Sequence, residues 1–285
     1  MGQTAPLRQV LFVQRKQAVL NEIIGGYYMR KRTRMAIVAW AVLVSIGVGA
    51  ASAVSFMPQE LIPAEKIIER HVEAIGGVDA VRAHSSTQAQ GTMELLGQGV
   101  RGEMRMYAAA PNKILMIVSF PDLGIESRNG YNGEVAWAAD PMTGERILQG
   151  DELQQIVDES DYYSDLHDLS KFQSMETLEV TEYAGRRTYK VKLVYISGRE
   201  TFEYFDVDNG RLVGAEGLQY TLMGAVNVRT FISEYRQFGK LMAPTKIVQE
   251  IGPGQTVQLT IESIQFDSVE PSTFALPASI EALVG

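Results

Sequence analysis

From Thr87 to Phe266 apolar and polar residues alternate with a period of two, broken by turn signals such as Asn132-Gly133, Ser197-Gly198, Asp208-Asn209-Gly210 and Gly252-Pro253-Gly254. A period of two places every second side chain on the same face of a strand, so about a dozen strands are expected there. The flanks follow a different period. Ile67, Ile68, His71, Val72 and Ile75 recur at three- and four-residue spacing behind Pro63 and ahead of Gly76-Gly77, which predicts a helix with a proline in its first turn and a glycine stop. A second short helix is expected over Val78 to Ala83. Leu153, Ile156 and Val157 behind an acidic start predict a third helix within Asp151 to Tyr163, running into an acidic loop between two β halves. The tail from Asp267, with Pro271, Pro277 and the run Ser279 to Val284, is expected to pack across one end.

The faces of these strands differ. Tyr189, Val191, Leu193 and Tyr195 oppose Thr188, Lys190 and Lys192, and Val257, Leu259 and Ile261 oppose Thr256, Gln258, Thr260 and Glu262, as in sheets with one dry face and one wet face. Ile114 to Val118 is apolar on both faces, so each side there needs a cover: a helix on one, and a second wall or an apolar ligand on the other. Met93, Met104, Met106 and Met116 lie in three successive strands. Thioether side chains adapt to irregular apolar guests, and they also fill gaps in ordinary cores.

Several motifs invite a chemical reading. Gly97, Gly99 and Gly102 match the dinucleotide fingerprint, which needs a helix after the glycines to face a pyrophosphate. Here Val100, Gly102, Met104 and Met106 alternate with Arg101, Glu103, Arg105 and Tyr107, so the glycines are expected to form a hairpin turn between Thr92–Leu96 and Val100–Ala108. His71 falls on the apolar stripe of the first helix and reads as a core histidine. His167, within the acidic run from Asp158 to Asp168, could belong to a metal or acid/base cluster, but its spacing matches no ligand scheme and a solvated loop is the stronger expectation. Asp206 to Gly210 imitates the start of a calcium loop without its distant glutamate. Neither G-x-S-x-G nor H-E-x-x-H occurs. No catalytic residue, metal ligand or cofactor is assigned, and an enzyme is not expected.

Composition narrows the partners. Arg30, Lys31, Arg32 and Arg34 precede an apolar run, Met35 to Gly49, and Ala51-Ser52-Ala53 follows, which is the order of a secretory signal peptide cleaved after Ala53. Retention of that run as an anchor is the alternative. Residues 29–53 are thus read as the signal peptide, 1–28 as an over-extended start, and 54–285 as a single domain. Seven of the 26 basic and one of the 34 acidic residues precede Val54, leaving 19 and 33, a net charge of −14. Such a surface repels phosphate backbones, so nucleic acid is not expected as a partner. The chain has no cysteine, which removes disulfides, thiolate chemistry and lipidation at a cysteine. A periplasmic location and a monomer are expected.

In order along the chain, AIGGVDAVRA (Ala74 to Ala83), QGTMEL, PNKILM, GYNGEVAWAADPMTG (Gly130 to Gly144), YFDVDNGRLVG (Tyr204 to Gly214) and EPSTFALP (Glu270 to Pro277) resemble the LolA/LolB-type outer-membrane lipoprotein-sorting family. The resemblance implies an α+β, mostly antiparallel fold. That fold is a curved, incomplete β-barrel whose helices cover an apolar cavity for the acyl chains of a lipoprotein or lipid. It also implies an inner-membrane donor and an outer-membrane acceptor. Trp137 corresponds to the family's aromatic after the Y-x-G turn, whereas the lid-locking arginine of known carriers has no motif here. Free acyl chains cannot cross water, because each CH₂ taken from it is worth about 0.8 kcal/mol. The expected cavity lining is Met104, Met106, Ile114, Met116, Val118 and Trp137, with Tyr189, Val191 and Leu193 behind them. The pattern leaves open which strand parity faces inward. A module that senses acyl chains or binds protein without transport is the rival reading.

Overall fold

The structure is a computed structural model that describes residues 61–222 and 224–285. The signal-peptide reading of residues 29–53 and the over-extended start at 1–28 lie outside the described residues. Helix α1 (Ala64–Ala74) begins just after Pro63, whose fixed φ suits a helix start. It stops at a pair of glycines: Gly77 N–H returns to the Val72 carbonyl at 2.8 Å, and Gly76 takes φ +124° with the Lys240 carbonyl so close that no Cβ would fit. A short helix α2 (Val78–Arg82) follows, as the sequence predicts.

Among the described residues, thirteen strands then form one sheet. They are β1 (Ser86–Leu95), β2 (Val100–Ala109), β3 (Lys113–Phe120), β4 (Ile125–Tyr131), β5 (Ala136–Asp140) and β6 (Gly144–Ile147), followed by helix α3 (Gly150–Glu159). After the acidic loop come β7 (Phe172–Tyr183), β8 (Arg186–Tyr195), β9 (Glu200–Asp206), β10 (Leu212–Thr221), β11 (Gly224–Phe238), β12 (Leu241–Ile251) and β13 (Gln255–Phe266), with helix α4 (Ala278–Val284) in the tail. The spatial order is β6-β5-β4-β3-β2-β1-β13-β12-β11-β10-β9-β8-β7, and every pair is antiparallel. Each wing is a meander of hairpins, and the wings join where β1 pairs with β13. The glycine motif is the β1–β2 hairpin, with Leu95 opposite Val100, and no helix follows it. The Asp206–Gly210 stretch is likewise a turn, in which the Asp206 carboxylate accepts the backbone N–H groups of Asp208 and Asn209.

The two ends of the sheet, β6 and β7, do not pair with each other, so the barrel stays open. It is nonetheless strongly bent. Helix α3 packs Ile156 against Tyr131, Ala136 and Leu148 around β4 and β5, while the Gln155 side chain accepts the N–H of Tyr220 on β10 at 2.7 Å. Strands β5 and β10 lie far apart in the sheet order, and one ten-residue helix reaches both only because the sheet curls around it. The face that α3 touches is therefore the concave one. The fold is α+β with a curved, incomplete antiparallel barrel, as expected from the sequence.

Ile114 to Val118 explains its own double-sided apolarity. Ile114, Met116 and Val118 face the concave side, whereas Leu115 and Ile117 face outward and are covered by Phe274, Leu276 and Ile280 of the tail. The C-terminal segment thus seals the outer face of β3.

Candidate ligand-binding face

Pairing partners in an antiparallel ladder share a face, so the register gives the concave surface residue by residue. Val191 pairs with Glu203, Glu203 with Ala215, Ala215 with Thr230, Thr230 with Gln249, and Gln249 with Val257. One row further in, Ile232, Ile247, Leu259 and Met93 follow one another across β11, β12, β13 and β1. Met104 lies opposite Gly91 and Val118, and Met106 opposite Ala89 and Met116. Eight of the nine residues expected to line a cavity are on this one face: Met104, Met106, Ile114, Met116, Val118, Tyr189, Val191 and Leu193. Trp137 is not. It pairs with Gly130, which pairs with Leu115, and it packs on the outer face against Phe274 and Ile280.

The eight do not form one group. Tyr189, Val191 and Leu193 pack with Phe205 beneath Ile67, Ile68 and Val72 of α1, and Val191 and Leu193 have no exposed surface. Ile114 packs beneath α3, beside Leu153 and Val157. Met104 and Val118 are buried with Ala89 and Ile261 in a cluster made of strand residues alone, ringed by Met93, Met106, Met116, Phe120, Leu259 and Ile264. Those ring residues are half-buried, as are Ile232 and Ile247 next to them. A continuous apolar strip on the concave face is thus left uncapped within its cluster, between the part under α1 and the part under α3.

A polar belt crosses the same face where the α3 insert meets β8 to β12. Arg199 donates to Asp158 at 3.2 Å and to Glu159 at 3.1 Å, and Ser197 donates to the same Asp158 carboxylate at 2.8 Å. On either side of that contact lie a cavity of about 250 Å³, lined in part by Asp165, His167, Phe172, Tyr195 and Glu203, and one of about 170 Å³, lined in part by Gln155, Thr201, Thr230 and Gln249. Tyr162 and Thr87 share a hydrogen bond at 2.8 Å, and Tyr163 donates to the His84 carbonyl, which ties the insert to the far wing.

The acidic loop is solvated at Glu159, Asp165 and Asp168, as expected, but not at its histidine. His167 is only 8% exposed, and its Nε2 lies 2.7 Å from a carboxylate oxygen of Glu203 on β9. Burial pushes the imidazolium down, but the Glu203 charge and hydrogen bond, with the carbonyl and charge of Asp165, outweigh it and hold the His167 pKa at about 9. Burial likewise raises the Glu203 carboxyl, and the charge and hydrogen bond of His167 more than reverse that, leaving it lowered. The pair is ionised, and it pins the loop against the sheet. His71 lies edge-on to His167 with ring centroids 6.0 Å apart; burial lowers its pKa, so it is a neutral core histidine, as its place on the apolar stripe suggests. The partner of His167 sits 36 residues away, and no local pattern could have named it.

Among solved structures, a DUF1329 family protein from Desulfovibrio piger ATCC 29098 superimposes with TM-score 0.53 at 12% identity over 75% of this chain and 98% of its own. The LolA superfamily protein NE2245 from Nitrosomonas europaea superimposes with TM-score 0.51 at 12% identity over 76% and 99%. The chain has a LolA-like fold. No family model and no curated relative matches it by sequence. At 12% identity the likeness covers the LolA-like architecture and not its cargo.

Proposed function

We propose that this LolA-like chain shelters the acyl chains of a lipid or lipoprotein on its concave face and carries them across the periplasm, from an inner-membrane donor toward an outer-membrane acceptor. The observation that carries the reading is the uncapped strip of half-buried apolar side chains around Met93, Met104, Met106 and Met116, on the inside of an open barrel. Here they stay partly accessible while facing inward, which suits a guest that enters and leaves. Met104, Met106, Met116 and Val118 line the proposed site, with Ile114 at its α3 end and Tyr189, Val191 and Leu193 as the packed floor beneath α1. Trp137, on the outer face, has a structural part through the tail. The role is binding, with no bond made or broken.

The test is binding of a fluorescent fatty acid to the purified protein, together with native mass spectrometry after detergent-free preparation. Met116→Asp sets a charge in the strip and is expected to weaken the probe at least roughly thirtyfold, since an unpaired polar group there costs 2 kcal/mol or more. Met104→Asp is expected to do the same or to unfold the chain, so circular dichroism accompanies both. Unchanged probe affinity in a folded Met116→Asp protein would refute the assignment. Transfer of a labelled lipoprotein to acceptor vesicles then separates a carrier from a sensor that retains its ligand.

A further inference from the structure

The twelve residues from Gly217 to Val228 carry no charge, in a chain whose residues from 54 onward have 33 acidic and 19 basic side chains. All of them but position 223, which lies outside the described residues, form the tip of the β10–β11 hairpin, and this tip extends beyond the neighbouring strands. Strand β9 pairs with β10 only from Gly217 inward, and β12 pairs with β11 only from Val228 inward. Between those limits Leu218, Gln219, Tyr220 and Thr221 pair with Asn227, Val226, Ala225 and Gly224 and with no other strand. A free two-stranded ribbon is marginal in water. The ribbon is tied to the body by the Gln155 side chain, which accepts the Tyr220 N–H, and at its base by Gly252, whose N–H donates to the Asn227 carbonyl at 2.8 Å. On the other side of the ribbon a recess of about 420 Å³ lies open between Phe202, Leu218 and Tyr220.

Two leucines of this tip are exposed to solvent. Leu222 is 60% exposed and Leu218 43%. Two more leave the same end of the sheet: Leu169, just before β7, and Ile196, just after β8, are each 63% exposed, and Ile196 N–H bonds the Lys171 carbonyl so that the two loops adjoin. We propose that the 218–227 hairpin is a membrane wedge, whose leucines enter the interfacial layer of a bilayer of zwitterionic lipids, with Leu169 and Ile196 as flanking contacts. The occupant follows from charge and shape. A strongly acidic chain is repelled by anionic headgroups, and an uncharged tip gains nothing from them. Separate loop tips do not make the flat, packed patch of about 800 Å² per side that a stable protein interface requires, whereas a fluid bilayer admits separate tips without a shape fit. The proposal rests on the carrier reading only in supplying a place where a lipid guest is collected or delivered.

The full chain has no cysteine, so Leu222→Cys gives a unique thiol for a polarity-sensitive dye, and Lys240→Cys, in the β11–β12 turn at the opposite end of the sheet, gives the control. With phosphatidylcholine vesicles the dye at 222 is expected to shift to the blue and the dye at 240 to stay unchanged. The shift should survive roughly 0.5 M salt, where the Debye length is only a few ångströms. Adding Leu218→Ser and Leu169→Ser to the Leu222→Cys protein is expected to lower the vesicle response at least about tenfold, because each lost leucine removes on the order of 1 kcal/mol of apolar burial. An unshifted dye at 222 in protein that floats with vesicles overturns the proposal, as does an equal shift at 240. A response that needs phosphatidylglycerol and vanishes in salt overturns the neutral-bilayer assignment. A shift that grows with protein concentration and needs no vesicles makes a second copy the occupant and also overturns it. A Leu222 response without fatty-acid binding leaves the wedge standing and removes the carrier reading, and the reverse result removes the wedge alone.

Discussion

Replacing His167 by alanine is the sharpest test of how the insert is held. The substitution leaves the Glu203 carboxylate, which shares its cavity with Tyr195, with its 2.7 Å partner gone. An uncompensated charge left by breaking a buried pair costs about 3–5 kcal/mol, so His167→Ala should lose a large part of the stability of a domain this size. The double variant His167→Leu/Glu203→Leu removes both charges and should recover most of that loss, because two apolar groups need no partners. The pH dependence follows from the two shifts. His167 is raised from 6.5 to about 9, so its contribution is complete below pH 6.5 and is lost as pH rises through 9. Glu203 is lowered from 4.5, so its contribution is complete above pH 4.5 and is lost as pH falls through its folded value. The pair therefore stabilises most between those two limits. Between pH 6.5 and 9 the wild type should lose on the order of 3 kcal/mol relative to His167→Ala, whose stability lacks this term. His71, lowered by burial, is shared by wild type and variant, so its own titration cancels in the difference between their profiles. Urea unfolding followed by circular dichroism at steps across the window measures both quantities. A cost below about 1 kcal/mol for His167→Ala, or parallel pH profiles for wild type and variant, would show that the pair does not hold the insert.

Other outcomes follow from the packing. Ile280→Ala, at a side chain with no exposed surface, should cost about 2–5 kcal/mol in thermal or urea unfolding by opening a cavity above Trp137 and Leu115; a neutral result would mean that the tail is not part of the folded unit. Gly214→Ala sets a Cβ against the Thr230 carbonyl and the Tyr183 ring, so it should destabilise by more than about 2 kcal/mol and disturb the stacked Tyr183–Tyr204 pair, which near-ultraviolet circular dichroism would register. The Asp and Cys variants described above test the concave face and the hairpin tip.

Much of the fold is legible in the sequence because one-dimensional period translates directly into face. The switch from three- and four-residue spacing to a period of two marks the end of α2 and the start of β1, and Gly97-Gln98-Gly99 and Asn209-Gly210 mark hairpins by the backbone angles they permit. The double-sided apolarity of Ile114 to Val118 correctly anticipates a cover on the outer face, supplied by the tail, and one over Ile114, supplied by α3. What the pattern does not contain is pairing across distance. Trp137 sits in an apolar stretch, and only the register with Gly130 reveals that it faces outward. The burial of His167 and Asp158 is not legible because their partners, Glu203 on β9 and Arg199 in the turn before it, lie 36 and 41 residues along the chain. The exposed leucines at 218 and 222 look like ordinary core residues by composition alone, and their exposure follows from how far β10 and β11 outrun their neighbours.

The joint between the wings is made by the first and last strands, with Thr87 alongside Phe266 and Leu95 alongside Val257. Each wing can assemble from sequential hairpins as the polypeptide emerges, but the trough around the methionines spans β13, β1, β2 and β3 and has no floor until the final strand is synthesised and docked. A nascent or C-terminally clipped chain would expose two separate greasy edges instead of one joined face, so the methionine cluster is completed in a single late step.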